Sequence, residues 1–292
     1  MPGGAHLLQP DLVERKAPVA DRGTAVLSRN DLFVALFFLG FINGISERVA
    51  VAVAENGITA ALIGTFDISI IVWGAFAIGV AYLLREPSAS PGRADWIVAA
   101  VTFAGFMVPV VPLSWLAISG LASHVLRTSE RASFTHRGAW ILLALTIPMF
   151  WGRLLFATFS DVILRADATL VGWLVGTHRL GNAVEFADGS GYLWIAPACS
   201  SLANVSLAIL CWVTISKVLN RAGSWGDAAW ISLACIAVIA INVTRISLIG
   251  LHREQFELIH GPVGATITSW AILGATVGIC LLGVRRDLPA RS

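Results

Sequence analysis

Apolar residues fall into long blocks along this chain, and polar residues are confined mainly to the short stretches between them. Blocks such as Ile58 to Leu84 and Ala228 to Leu251 match what a bilayer crossing needs, about 20 apolar residues for a hydrocarbon core of about 30 Å. The pattern predicts eight spans, at about residues 31–47, 58–84, 95–111, 112–126, 138–158, 198–219, 227–250 and 263–284. The stretch from Trp96 to Leu126 is too long for one crossing, about 46 Å at 1.5 Å per residue. Pro109 and Pro112 interrupt it, so it is read as a hairpin of two short spans. The expected fold is all-α, a polytopic transmembrane helical bundle. Residues 1–30 carry Arg15, Lys16, Arg22 and Arg29 among acids and prolines, without the apolar stretch of a signal peptide. They are expected to form a disordered cytoplasmic tail ahead of a transmembrane domain at 31–284, with a second cytoplasmic tail at 285–292.

Basic residues orient the bundle. With the N-terminus inside, the cytoplasmic segments 1–30, 85–94, 127–137, 217–226 and 285–292 hold four, two, three, two and three Lys or Arg, 14 of the chain's 20. That asymmetry follows the positive-inside rule and puts both termini in the cytoplasm. Composition agrees with a membrane location: 57% of the residues are apolar and 13% charged, where a soluble domain has about a quarter charged. Trp96, Trp140, Trp194, Trp230 and Trp270 fall near block ends, the depth at which indole rings favour the headgroup layer. The net charge of +2 is scattered over loops, which excludes a basic nucleic-acid-binding face. Cys199, Cys211, Cys235 and Cys280 are far apart, without the paired spacing of a metal or redox motif. No metal or cofactor is expected.

Topology gives three polar residues a common depth. Cys199 opens the sixth span at its outer end, Arg245 lies in the last turns of the seventh, and His260 precedes the eighth. Pro197 suits a first helical position, so Cys199 is expected in a first helical turn, where the helix dipole favours a nucleophilic thiolate. The bland reading is an inert small side chain, as a thiol inside an apolar block usually is. Arg245, with Asn242 three residues earlier on the same helix face, is expensive in lipid. It either snorkels to the interface or stabilises negative charge at a site. His260 has the side chain best matched to proton transfer near neutral pH, and His252 is a rival. The segment 159–197, with Asp161, Arg165, Asp167, His178, Arg179, Glu185 and Asp188, reads as an interfacial amphipathic helix over the site or a structured loop.

Taken together, Ala198-Cys199-Ser200-Ser201-Leu202, Asn242-Val243-Thr244-Arg245-Ile246 and His260-Gly261-Pro262-Val263-Gly264 resemble the motifs of the exosortase/archaeosortase family. That family carries an Ala-Cys-Ser-Gly-Leu-type motif, an Asn-x-x-Arg-Ile motif one span later, and a histidine with a glycine four residues on. The likeness covers about residues 30–284. Ser201 stands where the family usually has glycine, and Ala203 and Asn204 replace the common polar or aromatic pair. The resemblance implies a membrane cysteine transpeptidase or protease of the cell inner membrane, with its site facing the exterior. Its partners are then membrane lipid and exported proteins bearing a C-terminal sorting signal, a short motif followed by a transmembrane helix and a basic end. Cys199 would form a thioester acyl-enzyme, Arg245 would stabilise the developing charge, His260 would protonate the leaving amine, and Asn242 and Ser200 would support them. The alternative from another class is a non-enzymatic transporter or a scaffold for envelope polysaccharide assembly, with Arg245 binding an anionic ligand.

Overall fold

The computed structural model describes residues 27–221 and 223–286, so most of both expected tails lies outside the described residues. Ser28 caps the first helix, its hydroxyl accepting from the Asp31 amide, and α1 runs Arg29–Ile63 with a break at Gly57 (φ 76°, ψ 161°). Thr65, Phe66 and Asp67 follow with φ of 54–55°, a left-handed turn that L-residues adopt at a cost of about 1–2 kcal/mol each. Ser69 then caps α2, Ile70–Arg85. The expected span at 58–84 is therefore two pieces: 58–63 finish α1, and the Gly64–Ser69 turn separates them from α2. Helices α3 (Arg93–Met107) and α4 (Val111–Thr128) form the expected hairpin. Their break at 108–110 precedes Pro112, which sits at the start of α4 where its missing N–H costs nothing.

The fifth block behaves differently. Helix α5 (Phe134–Thr146) passes through a π-helical turn at Ile147–Trp151 into α6 (Gly152–Val175). Pro148 lacks an N–H and its ring crowds the preceding carbonyls, so the backbone widens and the Gly152 amide reaches back five residues to the Ile147 carbonyl. The first part of the segment expected as an interfacial helix or loop thus continues the fifth block. Leu164, Asp167, Ala168, Val171 and Gly172 are its buried face, the three-and-four spacing of a helix stripe. The remainder folds as a small antiparallel sheet of β1 (Arg179–Leu180), β2 (Ala183–Glu185) and β3 (Tyr192–Trp194). Helices α7 (Leu202–Val218), α8 (Trp225–Leu251), α9 (Phe256–His260) and α10 (Pro262–Arg286) complete the order.

Five helical stretches among the described residues are long and apolar enough to cross a membrane: Arg29–Ile63, Phe134–Val175, Pro197–Val218, Trp225–Leu251 and Pro262–Arg285. The protein is a helical membrane protein. Its larger core joins Phe33, Phe37 and Phe41 of α1 to Trp115 of α4 and Leu142 of α5. Helices α2 and α5 cross closely at Gly79 and Gly138, where a Cβ on Gly138 would lie 2.6 Å from the Gly79 carbonyl oxygen. Such small residues let backbones approach where lipid gives no hydrophobic drive between helices. A second core, at the end that carries the sheet, packs Leu164 and Val171 of α6 with Val184, Phe186, Leu193 and Ile195, and with Ile246 and Ile249 of α8.

Candidate active site

The turn that carries Cys199 is built by its neighbours. Pro197–Cys199 form a single 3-10 turn, with the Cys199 amide donating to the Ala196 carbonyl at 2.9 Å. Ser200 is extended (ψ 141°), and its hydroxyl accepts from the Leu202 amide at 3.3 Å. The extended Ser200 separates this turn from α7, which begins at Leu202 with Ser201 as its N-cap and no side-chain cap bond. Cys199 is therefore not in the first turn of the sixth long helix, as Pro197 had suggested, but in a separate turn before it. The helix-terminal amides that were expected to favour its thiolate are used elsewhere: Ser201 donates to Asp167 Oδ2 at 3.1 Å and Leu202 to Ser200.

Asn242 fixes this turn to α8. It is 3% exposed, and its Nδ2 donates to the Cys199 carbonyl at 2.7 Å and to Ser201 Oγ at 3.1 Å. Ser201, which stands where a glycine was expected, thus supplies a hydroxyl that shares the Asn242 amide. Arg245, one turn further along α8, donates Nε to the Ile259 carbonyl at 3.3 Å and Nη2 to the His260 carbonyl at 3.2 Å. Its guanidinium clasps the end of α9. The His260 ring stacks on Phe256 with centroids 4.9 Å apart and planes 9° from parallel.

Cys199 and His260 line one cavity of about 280 Å³, walled by Phe186, Trp194, Ile246 and Phe256. The structure brings Cys199, Ser200, Asn242, Arg245 and His260 to one end of the molecule. Arg245 stands behind the cavity wall, holding the main chain at His260. His252, the rival histidine, is exposed and pairs with Glu254 at 3.5 Å, away from that cavity. Gly264 explains the glycine four residues after His260: a Cβ there would lie 2.0 Å from the Ile259 carbonyl oxygen, the same oxygen that Arg245 holds.

Two contributions were missed in the sequence. Asp167, 5% exposed, anchors Ser201; a lone acid between Ala166 and Ala168 in an apolar run was the available signal. The sheet roofs the site, tied down by the Ala187 amide donating to the Gly250 carbonyl at 3.0 Å and by Arg253 Nη1 donating to the Ser190 carbonyl at 3.4 Å. Asp188 accepts from the Ser190 amide. The Ser190 hydroxyl, and after it that amide, hold the Asp188 carboxyl below the usual carboxylate range. Among the described residues no three His, Cys, Asp or Glu side chains are grouped to hold a metal ion. Comparison with protein-family models, curated proteins and solved structures finds no match.

Proposed function

We propose that this chain is a membrane-embedded cysteine transpeptidase or protease of the exosortase type, with an eight-span bundle, cytoplasmic termini and a site that opens on the outer face of the cell inner membrane. The observation that carries the reading is that Cys199 and His260, far apart in sequence, line one small cavity. His260 takes the thiol proton, and the Cys199 sulfur attacks the carbonyl carbon of a peptide bond in the exported substrate. The tetrahedral intermediate collapses as the C–N bond breaks, and His260 returns the proton to the leaving amine. The resulting thioester is released by an acceptor nucleophile or by water.

Asn242 and Ser200 hold the nucleophile's turn, and Arg245 holds His260. Two of the five guanidinium donors of Arg245 serve the Ile259 and His260 carbonyls. Arg245 therefore acts through His260, fixing from behind the cavity wall the main chain that carries the imidazole. The same engagement disfavours the transporter or scaffold reading, which asks Arg245 to bind an anionic ligand. The test is processing of a co-encoded protein that ends in a short motif, an apolar helix and a basic tail. Cys199→Ala abolishes processing, and the wild type accumulates a hydroxylamine-sensitive adduct on Cys199 visible by mass spectrometry. Continued processing by Cys199→Ala sinks the covalent mechanism.

A further inference from the structure

The Pro197–Ser200 turn has a second side. A separate cavity of about 480 Å³ is walled there by Pro197, Ala198 and Ser200, with Arg48 of α1 and Arg153 of α6 on its lining. Arg48 Nη1 makes a long hydrogen bond to the Asp67 carbonyl at 3.4 Å, and its Nε is buried without a partner. Neither guanidinium lies within ion-pair distance of a carboxylate among the described residues. Glu47 is an acid whose field reaches Arg153.

Depth and shape say what the cavity is suited to hold. At about 1.5 Å per residue, Arg48 lies about 28 Å along α1 from Arg29, and Arg153 lies about as far along the α5–α6 rod from Phe134. Both guanidinium groups therefore sit at one headgroup layer when the opposite helix ends sit at the other. Unneutralised arginines at such a depth face a cavity or a partner, and a planar guanidinium matches phosphate oxygens two at a time. Beside them, Leu154, Leu155, Phe159 and Val162 of α6 are exposed, a surface suited to acyl chains.

We propose that Arg48 and Arg153 form a phosphate-binding site, taking the phosphodiester headgroup of a membrane lipid of net negative charge or free phosphate, independent of the reaction at Cys199. The test uses the full chain in phosphatidylcholine nanodiscs, with phosphatidylglycerol added in one arm and inorganic phosphate in the other. Native mass spectrometry reads retained phosphatidylglycerol, and phosphorus NMR line broadening reads inorganic phosphate. Retention in the wild type should fall at least tenfold in R48Q/R153Q. It should not change in R165Q, whose arginine pairs with Asp161 on an exposed face. Arginine-dependent retention of the lipid identifies a headgroup site, and arginine-dependent broadening alone identifies a site for the free anion. Equal signals from wild type and R48Q/R153Q in both arms overturn the proposal, as does displacement by an acidic peptide but not by phosphate. If the double variant does not fold, R153Q alone, at an exposed side chain, should still lower the signal at least threefold; an unchanged signal in R153Q overturns the proposal.

Discussion

Replacing Asn242 by alanine isolates the fastening of the Cys199 turn. The side chain is 3% exposed, and both bonds from its Nδ2, to the Cys199 carbonyl and to Ser201 Oγ, are lost together. A buried hydrogen bond contributes about 1 kcal/mol net, so N242A should destabilise the protein by about 2 kcal/mol, roughly a thirty-fold change in the folding equilibrium. N242D should cost more, because a carboxylate oxygen then faces the Cys199 carbonyl oxygen and buries charge without a donor. Unfolding by titration with SDS, followed by tryptophan fluorescence, measures both. Site-resolved alkylation of Cys199 in the folded state should also quicken in N242A. The reasoning is refuted by a loss below about 0.5 kcal/mol with unchanged alkylation, since the turn would then be held by something else.

Other perturbations address different joints. G264A puts a Cβ against the Ile259 carbonyl oxygen; overpacking of this kind costs about 1–3 kcal/mol, and hydrogen exchange over residues 256–262 should quicken. R245K leaves one point charge where a planar fork held two carbonyls, so the same peptide should exchange faster and substrate processing should drop about tenfold. At the opposite end, burial pushes the Glu86 carboxyl up. The Phe134 and Thr135 amides, the Thr135 hydroxyl and the Arg137 charge outweigh it and hold the group below its ordinary range. A carboxyl lowered on folding stabilises above its unfolded value, near 4.5, and that stability is lost as pH falls through the lower folded value. E86Q should therefore be less stable than wild type at neutral pH, and the difference should shrink below about pH 4.5.

Most of the helical architecture was readable because lipid demands long apolar runs and punishes exceptions. The α3–α4 hairpin followed from Pro109 and Pro112, and the break after Asn56 fell beside the predicted start of a span at Ile58. What escaped were features set by one or two residues. Pro148 lies inside the predicted span at 138–158 and produced a π turn there, because Gly152 could reach back to Ile147 and carry the helix on. The sheet rests on Gly181, at φ 63° in the two-residue turn between Leu180 and Ala183, a glycine that short hairpins favour. Its strands are too short to show an alternating pattern. The site residues were legible one by one as misfits in apolar surroundings. That Ser200 would turn extended and leave Cys199 in a turn of its own depends on the backbone of one residue and has no periodicity to betray it.

The π turn at Ile147–Trp151 acts as a phase shifter. One residue of helix corresponds to about 100° of rotation, and a π turn absorbs about one extra residue. The first turns of α6, up to the kink at Phe159 (φ −122°, ψ 22°), are thus dialled to a heading that an uninterrupted helix would not give them. Arg153 faces the cavity behind the Cys199 turn on that heading, and Asp167 reaches the Ser201 amide beyond the Phe159 kink. Deleting a single residue there would turn Arg153 by about 100° away from its cavity, so one wall of that cavity hangs on the count of residues in one turn.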